Sequence, residues 1–178
     1  MTDRSRRLYR DRARIDVVRR DRAPILLADA AIGRVVAGAL AAAGAPAPAS
    51  VTVVLTDDLE LTDLNRAHMG IDGPTDVLSF PMLAADSFPA GRARRRSGPG
   101  RREPRTHIGD IAISVERAME QADQGRGGQT GDVRWSPADE LRLLVVHGTL
   151  HLCGFDHVDR ADEAAMRALE RRLLEAAR

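Results

Sequence analysis

Three of the chain's five histidines fall in one short run, His147-Gly148-Thr149-Leu150-His151-Leu152-Cys153-Gly154-Phe155-Asp156-His157. This run constrains the fold more than any other stretch. Upstream, Ser136-Pro137 is a helix start, with Ser as N-cap, Pro in the first helical position and Asp139 in the third. The pattern predicts a helix to about residue 153, ended by Gly154 as a left-handed cap. Histidines four apart on a helix project from one face, so both imidazoles can reach one ion. The turn at Gly154 can bring His157 back toward them. Three neutral imidazoles bind Zn2+ and leave the fourth tetrahedral position for water, whose pKa the ion lowers to about 7. The expected cofactor is one zinc ion per chain, held by His147, His151 and His157.

The same spacing occurs in metzincin proteases, which carry glutamate directly after the first histidine as general base. Here that position is Gly148. Losing a general base costs typically about 10²–10⁴ in rate. The run therefore keeps a metal scaffold without the group that peptide hydrolysis most needs. Phosphodiester cleavage stays open, because metal-activated water and Lewis-acid stabilisation can serve it. Cys153, two residues beyond His151, points away from the metal face and is expected to be a small buried residue.

The rest of the chain predicts an alternation of helices and strands without regular order, hence an α+β fold. Residues 1–14 read as a ragged, basic, flexible terminus. A short strand is expected over 15–18, then a helix from Pro24 to about residue 43. The β-branched run 51–55 is a strand. A helix follows over about 58–68, capped by Thr56 or Asp57. Asp72-Gly73-Pro74 is a turn, and residues 76–80 form a strand closed by Pro81. Residues 84–106, rich in Gly, Pro, Ser and Arg, read as a disordered insertion. A strand over 107–115, a short helix over 116–124 and a final helix over about 159–177 complete the order. The 178 residues fit one domain able to bury a core.

The net charge of +1 conceals an uneven distribution. All 27 basic residues are arginine. Residues 1–22 hold nine Arg against four Asp, and residues 91–107 hold seven Arg against one Glu, so the remainder is acidic. Arginine grips phosphate with a bidentate fork, so such segments can hold nucleic acid; they can equally be solvated surface. A single cysteine excludes an internal disulfide framework. No secretory signal is evident, and the acids near the start argue against a transit peptide. The most apolar stretch, 25–43, is interrupted by Asp29 and Arg34 and reads as amphipathic rather than membrane-spanning. A cytoplasmic protein without a membrane partner is expected.

The run from His147 to His157 resembles the signature of the YbeY family of bacterial zinc endoribonucleases. The block Asp72-Gly73-Pro74-Thr75-Asp76-Val77-Leu78-Ser79-Phe80-Pro81 resembles a second hallmark, and Gly109-Asp110-Ile111-Ala112-Ile113-Ser114 a third. Together they cover about residues 15–175. The resemblance implies a small mixed sheet packed with helices, with a zincin-like zinc site on a long helix and the following turn. It implies a single-strand-specific, zinc-dependent endoribonuclease that matures ribosomal RNA, chiefly at the small-subunit 3′ end, and serves ribosome quality control. The implied partners are precursor ribosomal RNA and the ribosome or its small subunit, with no DNA. Many members carry arginine just before the glycine that precedes the second block; here that residue is Met69. Arg66, one helical turn earlier, is the nearest substitute. Arg92, Arg94, Arg95, Arg96, Arg101 and Arg102 are the further candidates for RNA contact.

Asp110 and Asp156 are the candidate catalytic carboxylates. Asp110 could orient a metal histidine, accept a proton or make a structural hydrogen bond. Asp156, beside a ligand, could support the metal, act as base or cap the final helix. Ser79 and Thr75 read first as satisfying backbone groups. Two alternatives stand beside the nuclease: a ribosome-associated RNA-binding factor with structural zinc, and a zinc metallopeptidase.

Overall fold

The computed structural model describes residues 3–84, 88, 104–125, 135–155 and 160–177. Five strands and five helices are found among them. They are β1 Arg4–Arg10, β2 Ala13–Arg19, α1 Asp29–Ala42, β3 Ala49–Thr56, α2 Asp58–Met69, β4 Val77–Pro81, β5 Thr106–Ser114, α3 Val115–Asp123, α4 Pro137–Leu152 and α5 Arg160–Ala176. The strands form one mixed sheet in the order β1-β2-β3-β5-β4. The pairs β2–β3 and β3–β5 are parallel, while the two outer pairs are antiparallel. The fold is α+β, as expected.

Residues 4–10 correct the expectation of a ragged terminus. They pair with β2 through the register Leu8↔Ile15 and Arg7↔Asp16. The joining residues Asp11 and Arg12 have φ of 45° and 67°, the positive values that a tight two-residue hairpin turn requires. Leu8 lies over Gly33 of α1, where an added Cβ would approach its Cδ1 to 2.8 Å. The first helix also starts later than Pro24. The buried Arg19 side chain bonds the Leu27 carbonyl and the Asp29 carboxylate, and the residues before Asp29 turn and bend without forming helix.

Alternation along the strands sorts their side chains to two faces. Ile15, Val17, Val51, Val53, Leu55, Ile111 and Ile113 belong to the main core, which also takes residues of α1, α3, α4 and α5. On the opposite face Leu78 and Ala112 meet Leu61 of α2 in a smaller cluster. Helix α2 starts as expected: Asp57 accepts from the Glu60 amide, and Gly70 closes it at φ 68°. Helix α4 is capped reciprocally by Ser136 and Asp139. Its flanks are apolar nearly all round, the pattern of a central helix; Leu141, Val145, Val146, Leu150 and Leu152 are fully buried. Buried Glu140 in its first turn is met by the Trp135 indole N–H at 2.6 Å.

Glycine sets how closely α4 approaches the sheet. A Cβ on Gly148 would stand 2.8 Å from Ile111 Cγ2 and 3.1 Å from Val77 Cγ2. The Ser79 hydroxyl donates to the Gly148 carbonyl at 3.1 Å, tying β4 to the helix. Gly109, at φ 153°, lies beside the irregularity between β3 and β5; a Cβ there would meet the Phe80 carbonyl at 2.3 Å.

Most of residues 84–106 lies outside the described residues. Within that stretch Phe88 packs against the core, and Thr106 already belongs to β5. Arg105 donates to the carbonyls of Arg12 and Ala49 at 2.9 and 2.8 Å and stacks over Tyr9. The disorder expected for 84–106 therefore does not extend to these residues.

Candidate metal centre

His147 and His151 stand on one face of α4, one turn apart. Their rings meet edge to face at 80° with centroids 4.5 Å apart. The two Nε2 atoms point at each other across 3.0 Å. Two Nε2 ligands on a tetrahedral zinc, at Zn–N of about 2.0–2.1 Å, stand roughly 3.3 Å apart. The pair is thus close to ligating geometry, and the residues present fit the ion. Both rings are half-buried, so the site opens to solvent.

Behind the pair stands a residue that the sequence reading missed. Glu170 Oε1 lies 2.8 Å from His147 Nδ1. The glutamate is buried at 7% exposure. A signal for it existed. Met166, Leu169 and Leu173 mark the inward stripe of α5, and Glu170 falls inside that stripe. A charged residue on an apolar stripe is seldom buried without a partner.

His157 and Asp156 lie outside the described residues, as do Arg92, Arg94, Arg95, Arg96, Arg101 and Arg102. Among the described residues no three His, Cys, Asp or Glu side chains form a metal-holding group. Asp110 is not brought to the histidine pair. It is level with Phe80 on β4 and Thr52 on β3, on the α2 face of the sheet, whereas α4 covers the other. There it meets His107 Nε2 at 3.0 Å, and His107 Nδ1 in turn faces the Ser50 hydroxyl at 3.2 Å. Arg66 Nε bonds Asp72 at 2.5 Å. That hydrogen bond and the Asp72 charge raise its pKa. Met69, next to the glycine, is exposed. Asn65 fixes the turn between α2 and β4 by donating to the Gly73 carbonyl at 2.9 Å. Thr75 donates to Asp76, whose carboxylate also accepts from the Val77 amide and the Gln121 side chain.

Cys153 is buried at 3% exposure, and burial pushes its thiol pKa up to about 12. Thiolate is the form that binds metal and attacks electrophiles, so burial works against both roles for this side chain. Native protein at pH 8 is expected to resist alkylation by iodoacetamide and to become reactive only on unfolding. Mass spectrometry checks this, and rapid labelling of folded protein would contradict the buried assignment.

The sequence model of the family described as Endoribonuclease YbeY matches residues 22–178. The chain belongs to the YbeY endoribonuclease family. A YbeY endoribonuclease of Roseiflexus sp. is 43% identical over 130 residues, covering 72% of this chain and 71% of that one. One from Chloroflexus aggregans is 42% identical over 153 residues, covering 85% and 89%. A solution structure of a Thermotoga maritima protein shares the fold at a TM-score of 0.55 and 22% identity, covering 93% of this chain and 88% of that one. The family match spans the histidine pair, Gly148 and Glu170 together. Among the described residues no helix is long and apolar enough to cross a membrane.

Proposed function

We propose that this chain is a zinc-dependent, single-strand-specific endoribonuclease that matures ribosomal RNA, chiefly at the small-subunit 3′ end, and takes part in ribosome quality control. The observation that carries the reading is the convergence of His147 and His151 Nε2 at 3.0 Å in a member of the YbeY endoribonuclease family. In this reading one zinc is held by His147, His151 and His157 in a zincin-like arrangement. Bound there, the ion supplies Lewis acidity to the scissile phosphate and to the water that attacks it. The chain's own residues do the rest. His147 and His151 present neutral nitrogens from one rigid helix face. Asp156, next to the third ligand, is the proposed proton acceptor. Arg66 and the arginines at 92, 94, 95, 96, 101 and 102 are proposed to hold phosphates. The substrate is precursor ribosomal RNA on or near the small ribosomal subunit, in the cytoplasm, with no role for DNA or a membrane.

The peptidase alternative meets a steric objection. The position that would carry a protease's glutamate is Gly148, and it faces Ile111 and Val77 rather than the histidine pair's open side.

The test is metal content measured beside cleavage of a single-stranded precursor ribosomal RNA fragment and of a matched duplex. About one zinc per chain is expected, with cutting of the single strand that stops on chelation and returns with zinc. Zinc-loaded protein that binds the fragment and never cuts it would replace the nuclease with a binding factor holding structural zinc.

A further inference from the structure

Glu170 lies on α5, outside every motif that marks the family resemblance, yet it contacts the candidate metal centre. Three observations fix its role. It is one of few charged side chains buried in the described structure, at 7% exposure. Its Oε1 is 2.8 Å from His147 Nδ1. Its helix is anchored by fully buried Met166, one turn before it, and by Leu169 and Leu173 packed on the core. An ionised carboxylate only accepts hydrogen bonds. The hydrogen at this contact must therefore sit on His147 Nδ1. In the neutral ring that leaves Nε2 as a lone pair, aimed at His151 Nε2. The 3.0 Å contact is then a hydrogen bond if His151 carries its hydrogen on Nε2.

We infer that Glu170 is a positioning residue: it locks His147 in the Nδ1–H tautomer and so presents Nε2 to the metal. This rests on the zinc reading proposed above. Carboxylate partners of metal-bound histidines fix ring orientation and tautomer, and their loss typically costs about 10–100-fold in metal affinity. Ligation by His151 through Nε2 would require its hydrogen to move to Nδ1, a tautomer change with no net release of a proton.

Two measurements on the full chain test the inference. The first is nitrogen-15 correlation spectroscopy of zinc-free wild type, which reads the tautomer of each histidine directly. His147 is expected with its hydrogen on Nδ1, and Glu170→Gln, whose amide can donate to Nδ1, should shift it toward Nε2–H. The second is zinc affinity by competition with a chromophoric chelator, where Glu170→Gln should bind about 10–100-fold more weakly. A wild-type His147 carrying its hydrogen on Nε2 would overturn the inference. So would a variant that binds zinc within twofold of a zinc-binding wild type. If wild type binds no zinc, the zinc reading fails, and the wild-type tautomer alone decides the role of Glu170. If Glu170→Gln does not fold, the same wild-type spectrum decides.

Discussion

Replacing His151 with alanine should abolish zinc binding and lower cleavage of single-stranded precursor RNA by at least about 100-fold, because even the loss of a ligand's hydrogen-bonding partner costs 10–100-fold. His151 is half-buried and meets His147 across the site. Its removal should leave the zinc-free protein folded, with a melting temperature close to wild type in the presence of chelator. His147→Ala should match it in zinc content and activity but differ in zinc-free stability. It strands the Glu170 carboxylate, which is buried and bonded to His147 Nδ1. An unsatisfied buried acceptor costs about 1–3 kcal/mol, more when charged. Metal analysis, single-turnover cleavage and melting curves on both variants check all three expectations. Full zinc and full cleavage in either variant would remove the pair from the metal centre.

Gly148→Glu should be severely destabilised. Helix α4 rests on β4 and β5 with no room for a side chain at this position, where a Cβ alone would meet Ile111 Cγ2 at 2.8 Å and Ser79 Oγ at 3.2 Å. Ile111 is β-branched and fully buried, so it has little freedom to yield. Gly148→Ala isolates the overpacking, about 1–3 kcal/mol, offset by up to about 1 kcal/mol of helix propensity. Glutamate adds a carboxylate thrust against Ile111 and Val77, and an uncompensated buried charge costs about 3–5 kcal/mol. The combined penalty of about 4–8 kcal/mol is a large part of a total stability of about 5–15 kcal/mol and exceeds it at the lower end. Urea denaturation of the alanine variant and solubility of the glutamate variant provide the measurement. A folded, proteolytic Gly148→Glu protein would restore the metzincin comparison that the packing excludes.

Much of this geometry is legible in residue order because it is set locally. Ser136-Pro137 and Asp139 start α4, and the spacing of His147 and His151 puts both rings on one side. The legible parts end where tertiary contacts take over. β1 has only Leu8 and Tyr9 among its arginines, and its turn is Asp11-Arg12 rather than a glycine pair, so neither periodicity nor turn chemistry announces a strand. Pro24 is a fair first helical residue, but the buried guanidinium of Arg19 holds the following segment in another shape. Asp110 sits in a block that resembles the family, yet strand alternation turns it toward His107 and away from α4. Glu170 is visible only to a reader who asks why an acid interrupts the apolar stripe of α5.

The two margins of the sheet are guarded in different ways. At one side β4 spans only Val77–Pro81 and ends in a residue with no amide hydrogen to offer. At the other, β1 presents Arg4, Arg6, Arg7 and Arg10, all exposed, along a strand whose outer edge meets no further strand among the described residues. Open strand margins invite a second chain to add on, and clustered like charge opposes it. The same arginines that disguise this strand in the sequence thus discourage the protein from polymerising through its own sheet.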